Sequence, residues 1–204
     1  MKMMIDETSV DAIRELINIG VGRAAGLLND MTGTHIRLMV PEVRILRYNE
    51  LIGQKGLLGY EKLSAVTLEF SGGFSGISML VFPPESAAIL ITALTGEKID
   101  APELDALRIE TLNEVGNIVN NAVMGSITNI LNERLTYSMP LYTEGNIQQI
   151  LGADLSKGFE WVILAISQFI LSDLKVVGNI LMIFEIGSLD ALLLRIKESA
   201  GQIR

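Results

Sequence analysis

The apolar positions of this chain change period several times, and each change marks an element. From Thr8 to about Met31, the residues Ile13, Leu16, Ile17, Ala24, Leu28 and Met31 recur at helical spacing on one face, while Asp11, Glu15 and Asn18 form a polar stripe. Thr8 and Asp11 are placed as a variant capping box at its start. After Gly33, Ile36, Leu38 and Val40 alternate with His35, Arg37 and Met39, which predicts a strand that stops at Pro41. A second strand fits Val43 to Arg47, and Gly53, Gly56 and Gly59 predict loop beyond it. Lys62 to Ser71 and Phe74 to Phe82 read as a hairpin turning at Gly72-Gly73, in the centre of a sheet. Pro83 and Pro84 open a helix over Glu85 to Leu94 that Gly96 closes, and Gly96 to Pro102 reads as a linker.

The second half opens with a helix from Ala101 or Pro102 to Leu131. Because a helix turns about 100° per residue, Glu110, Glu114, Asn117 and Asn121 fall within roughly a 60° arc. Leu112, Val115, Val119, Ala122 and Ser126 occupy the opposite side, which is the side to seat on a core. A strand at Arg134 to Met139 ends at Pro140, and a short helix fits Asn146 to Leu151. Strands follow at Phe159 to Leu171 and Leu174 to Ile186 about a Ser172-Asp173 turn, then a helix from Ser188 to about Ser199.

The order of elements in the second half repeats that of the first, and so do particular residues. Laying Asp11 over Glu110 brings Glu15 onto Glu114, Asn18 onto Asn117, Ile19 onto Ile118, Gly26 onto Gly125 and Pro41 onto Pro140. With a slightly longer shift, Gly76 to Phe82 lies over Gly178 to Phe184. This predicts one domain over 1–204 made of two repeats, about 8–96 and 102–200, sharing one sheet around a pseudo-two-fold axis. A merely solvated helix face tolerates any polar residue. The same Glu and Asn at the same spacing in both copies therefore mark Glu15, Asn18, Glu114 and Asn117 as functional candidates.

Composition narrows the chemistry. The chain is 49% apolar, yet no run reaches the roughly 18 uninterrupted apolar residues of a membrane span, so no membrane insertion is expected. A formal charge of −8 with no Lys/Arg cluster argues against nucleic acid and anionic membrane surfaces as partners. The absence of cysteine excludes disulfides, thiol catalysis and thiolate metal sites. His35 is the lone histidine and the carboxylates lack metal-ligand spacing, so no cofactor of the chain's own is expected. The start, MKMMIDETS, meets acidic residues at once and lacks the apolar region of a secretion signal, which suggests a cytoplasmic protein.

Asp11, Glu15, Asn18 and Pro41, echoed by Glu110, Glu114, Asn117 and Pro140, resemble the phosphatase signature of the CheC/CheX/FliY family of bacterial chemotaxis and flagellar proteins. The likeness covers nearly the whole chain. Glu110 departs from the family's usual Asp or Ser at the first position. The resemblance implies an α/β fold of the α+β kind, with a largely antiparallel sheet and two exposed signature helices. It also implies hydrolysis of the aspartyl phosphate of a CheY-type response regulator, with Mg²⁺ carried by that receiver. In such a site Asn18 and Asn117 orient the attacking water, and Glu15 and Glu114 dock onto a cation in the receiver pocket. Asp11 and Glu110 take peripheral roles, and Pro41 and Pro140 end strands near the site. The same family offers two other roles, a non-catalytic scaffold of the flagellar switch and a regulator of a CheD-type receptor deamidase.

Overall fold

The computed structural model describes residues 6–33, 35–53, 62–96, 105–151, 158–171 and 174–201. The first helix, α1 (Glu7–Thr32), begins one residue before the expected Thr8. Its cap is Asp6, whose carboxylate accepts the Ser9 N–H at 2.8 Å, while Thr8 already lies inside the first turn. At the other end Gly33 takes the left-handed conformation (φ 65°) and its N–H closes on the Asn29 carbonyl. Ile13, Leu16, Ile17, Ala24 and Leu28 are buried as their spacing predicts, but the inner face ends at Leu28, and Met31 in the last turn is 49% exposed.

Strand β1 (Ile36–Arg47) does not stop at Pro41. It runs through it, merging the two expected strands, and its register against β6 (Phe159–Leu171) shifts between Met39 and Glu42. A proline has no N–H for a ladder, and a bulge on an edge strand is where that loss costs least. A short helix, α2 (Tyr48–Gly53), then occupies sequence that the glycines had suggested was loop, and Glu50 accepts the Arg47 N–H at 2.8 Å to start it. Gly56, Gly59, the start expected for the second half's helix at Ala101 or Pro102, most of the expected linker and the expected Ser172-Asp173 turn lie outside the described residues.

Strands β2 (Leu63–Gly72) and β3 (Gly76–Phe82) form the hairpin, with a longer connection than Gly72-Gly73 alone. Phe74 is buried in that connection, not in the strand, with its ring 5.9 Å from Phe70 and 6.4 Å from Phe184. Helix α3 (Pro84–Thr95) is capped by Pro83 and Gly96, close to expectation. Helix α4 (Asp105–Leu131) leads to β4 (Leu135–Tyr137), shorter than expected, and to a further strand, β5 (Leu141–Gly145), with Pro140 in the break between them. Helix α5 (Ile147–Leu151) starts from a reciprocal cap in which Asn146 and Gln149 each accept the other's N–H. Strand β6, strand β7 (Leu174–Glu185) and helix α6 (Ser188–Gly201) complete the order.

The strands form one sheet in the order β1-β6-β7-β3-β2-β4, with β5 also on β2, and every pairing is antiparallel. No parallel crossover unit is present among the described residues. Strand β3 is buried throughout and β7 from Gly178 to Phe184, which explains why the polar residues in these stretches are only Ser78 and Asn179. Leu80, Phe82, Ile180, Met182 and Phe184 share one core with the inner faces of α1, α3, α4 and α6. Ile77, Met79, Val81, Leu181 and Ile183 join a second core with Tyr48, Leu51 and Leu151 from α2 and α5. Each such buried side chain contributes about 1.5–3 kcal/mol, so the sheet is held from both sides.

Helices α1 and α4 lie against one another on the first of these cores. Gly20 makes that approach possible, since a Cβ there would stand 2.5 Å from the Val123 Cα. The two polar stripes are thereby carried by packed, buried helices and not by loops.

Candidate functional site on the paired helices

On α4 the inner face is set by Leu112, Val115, Val119 and Val123, all buried, and by Gly116, whose missing side chain lets the helix press onto Val66 of β2. That rotation leaves Glu110 and Glu114 exposed and Asn117 half-buried one turn further on. Asn120, on the buried side, fixes the rotation from below: its Nδ2 donates to the Val66 carbonyl at 3.1 Å, and its Oδ1 accepts from the Ser78 hydroxyl at 3.0 Å. Asn120 is not among the residues that the sequence pattern singles out. A lone amide on an otherwise apolar helix side is the signal that marks it.

The stripe of α4 opens onto a groove of about 600 Å³ lined by Ala106, Ile109, Glu110, Asn113, Glu114, Asn117 and Pro140. Glu110, Glu114, Asn117 and Pro140 thus line one groove, Pro140 coming from the break between β4 and β5. Asn113 also lines this groove and was not anticipated; its Oδ1 is buried without a hydrogen-bond partner. Asn121 extends the stripe and donates through Nδ2 to the Asn117 Oδ1 at 2.6 Å.

On α1 the stripe repeats the disposition, with Asp11 and Glu15 exposed and Asn18 half-buried. Asp11 is engaged by the Arg14 guanidinium one turn along, and Pro41 is exposed in the β1 bulge. Among the described residues, Glu15, Glu110 and Glu114 have no cation partner, which leaves three carboxylates on the two stripes available to one supplied from outside. Arg23 of α1 donates to the Ser126 hydroxyl of α4 at 3.2 Å, tying the two helices at a point away from the groove.

The start of α4 is fastened to β5 by charge. Glu144 lies 2.7 Å from the Lys62 Nζ and 3.5 Å from Arg108, and it accepts the Tyr142 hydroxyl at 2.5 Å. Burial raises the Glu144 pKa, but the hydrogen bonds from Lys62 and Tyr142 and the Arg108 charge outweigh it and hold the carboxyl below its ordinary value. Burial, with the bond to Glu144, pushes the Tyr142 phenol up to about 12.

Among the described residues no group of three or more His, Asp or Glu side chains is placed to hold a metal ion, and no helix is long and apolar enough to cross a membrane. The lone His35 is exposed at the start of β1. What the stripes can do chemically is limited to hydrogen bonding and charge pairing from neutral amides and carboxylates.

No family profile matches the chain. It is 26% identical over 157 residues to the CheY-P phosphatase CheC of Bacillus subtilis, which covers 76% of this chain and 73% of that protein. It is 22% identical over 152 residues to the flagellar motor switch phosphatase FliY of the same organism, covering 74% of this chain and 39% of that protein. The fold matches the crystal structure of Thermotoga maritima FliY with a TM-score of 0.74 at 19% identity, over 97% of this chain and 100% of the other. Sequence and fold together show that this chain is homologous to members of the CheC/CheX/FliY family.

Proposed function

We propose that this protein hydrolyses the aspartyl phosphate of a CheY-type response regulator in the cytoplasm, using one site on α4 and a second on α1. Likeness to the CheY-P phosphatase CheC, and to the motor switch phosphatase FliY, supports the reaction at the level of the family. The observation that carries the assignment of residues is the groove in which Glu114 and Asn117, the repeated pair, meet Pro140, with both groove carboxylates free of a cation among the described residues. The strand order supports the duplication: exchanging the halves turns β1-β6-β7-β3-β2-β4 into its own reverse, with α1 replacing α4. On this reading the chain is a single domain of two interlocked repeats, since β1 of the first half pairs with β6 of the second and β4 and β5 pair with β2.

The chemistry demanded of the chain is small. An acyl phosphate is labile, and the receiver brings its own Mg²⁺ and lysine to neutralise the phosphoryl charge. Asn18 and Asn117 act by accepting a hydrogen bond from water and aligning it, and an amide does so without the charge that would repel the phosphoryl oxygens. Glu15 and Glu114, one turn earlier, pair with the receiver's lysine and fix the approach. Asp11 and Glu110 shape the rim, Asp11 with its charge already offset by Arg14.

A second reading, assembly within the flagellar switch, is favoured by the likeness to FliY, whose name joins switch and phosphatase. Regulation of a CheD-type deamidase has no observation of its own here. The test is phosphate release from a receiver charged by a small phosphodonor with Mg²⁺. Acceleration by this protein supports hydrolysis, and retention by switch proteins without acceleration supports assembly.

A further inference from the structure

We infer that Asn121 is a positioning residue that orients the Asn117 amide, so that the two sites are unequal and the α4 site is the faster. The inference rests on the phosphatase reading above. Asn121 is exposed on the outer side of α4 and its Nδ2 donates to the Asn117 Oδ1 at 2.6 Å. The terminal torsion of an asparagine is broad and roughly two-fold, so an isolated amide presents its oxygen and its nitrogen to the same point in turn. A neighbouring amide four residues along the helix biases that choice, and in the arrangement observed its Nδ2 holds the Asn117 oxygen on its own side. A carbonyl oxygen carries two lone pairs, so Asn117 keeps one for the water it aligns.

The first copy lacks this device. The residue four positions after Asn18 is Gly22, which has no side chain to donate. Gly22 is exposed, and a Cβ built there meets nothing within 4 Å, so the space for an asparagine exists and is unused. The repeated Glu and Asn are thus shared by the copies, and the group that holds the Asn belongs to one of them.

The experiment measures steady-state phosphate release from a charged receiver in single-site backgrounds. In Asn18→Ala, which leaves the α4 site, adding Asn121→Ala lowers kcat about 2-fold and leaves KM unchanged, the loss expected when one of two amide orientations is no longer selected. Alanine is the better helix former, so weakened helix packing does not account for such a loss. Asn121→Gln, which keeps the donor, restores at least part of kcat. In the complementary background, Asn117→Ala, adding Gly22→Asn raises kcat by a similar factor. An unchanged kcat on Asn121→Ala in an active Asn18→Ala protein, or a change in KM alone, overturns the positioning role while leaving the phosphatase reading intact. If Asn18→Ala and Asn117→Ala combined lose nothing, the phosphatase reading fails and this inference fails with it.

Discussion

Asn120 and Val66 are joined across the boundary between helix and sheet, the Asn120 Nδ2 donating to the Val66 carbonyl at 3.1 Å. With the Ser78 hydroxyl on its Oδ1, this amide bonds α4 to β2 and β3 at once, within four residues of Asn117. Asn120→Ala removes both bonds and leaves a buried hydroxyl without its acceptor. The expected loss of stability is about 1–3 kcal/mol, read as a lower denaturant midpoint at unchanged m-value. An unchanged midpoint contradicts the role given to Asn120.

Gly20 and Gly22 are two positions apart on α1, and the same substitution has opposite consequences at them. A Cβ at Gly20 meets the Val123 Cα at 2.5 Å and the Ala122 carbonyl oxygen at 3.0 Å, both backbone atoms that cannot turn aside. Gly20→Ala therefore forces α1 and α4 apart and destabilises by about 1–3 kcal/mol. Gly22→Ala meets nothing and gains helix propensity, about 0.5–1 kcal/mol. Thermal unfolding of the two variants side by side checks the sign of each.

The Lys62, Arg108, Glu144 and Tyr142 cluster makes stability depend on pH at both ends. The folded pKa of Glu144 is below its ordinary value of 4.5, so its contribution is present above that value and is lost as the pH falls through the folded pKa. The Tyr142 phenol, pushed up to about 12 from 10.0, contributes stability below pH 10 that is lost as the pH rises from there to about 12. Glu144→Gln flattens the acid limb of a stability profile below pH 4.5, and Tyr142→Phe removes from the alkaline spectrophotometric titration the phenol that ionises near 12.

Helices α1, α3, α4 and α6 and strands β2, β6 and β7 are legible in the sequence because each carries its own period, and the matching Glu and Asn of α1 and α4 stand out against dissimilar neighbours. Pro41 reads locally as the end of a strand, and only the bulge against β6 shows that β1 continues to Arg47. Phe74 has strand propensity but packs against Phe70 and Phe184 from the connection, a tertiary contact that no local pattern encodes. β5 follows a proline and is short, and its existence depends on pairing with β2. At the candidate site, the sequence pointed to Glu114 and Asn117 but not to Asn113 or Asn120, whose importance comes from what stands opposite them.

The proposed alignment of water by Asn18 and Asn117 for hydrolysis of a receiver's aspartyl phosphate is tested most directly by phosphate release with Asn18→Ala, Asn117→Ala and the two combined. Each single variant is expected to keep part of the acceleration and the double variant to fall to the receiver's own rate, a loss on the order of 10- to 100-fold. Wild-type acceleration by the folded double variant would contradict it.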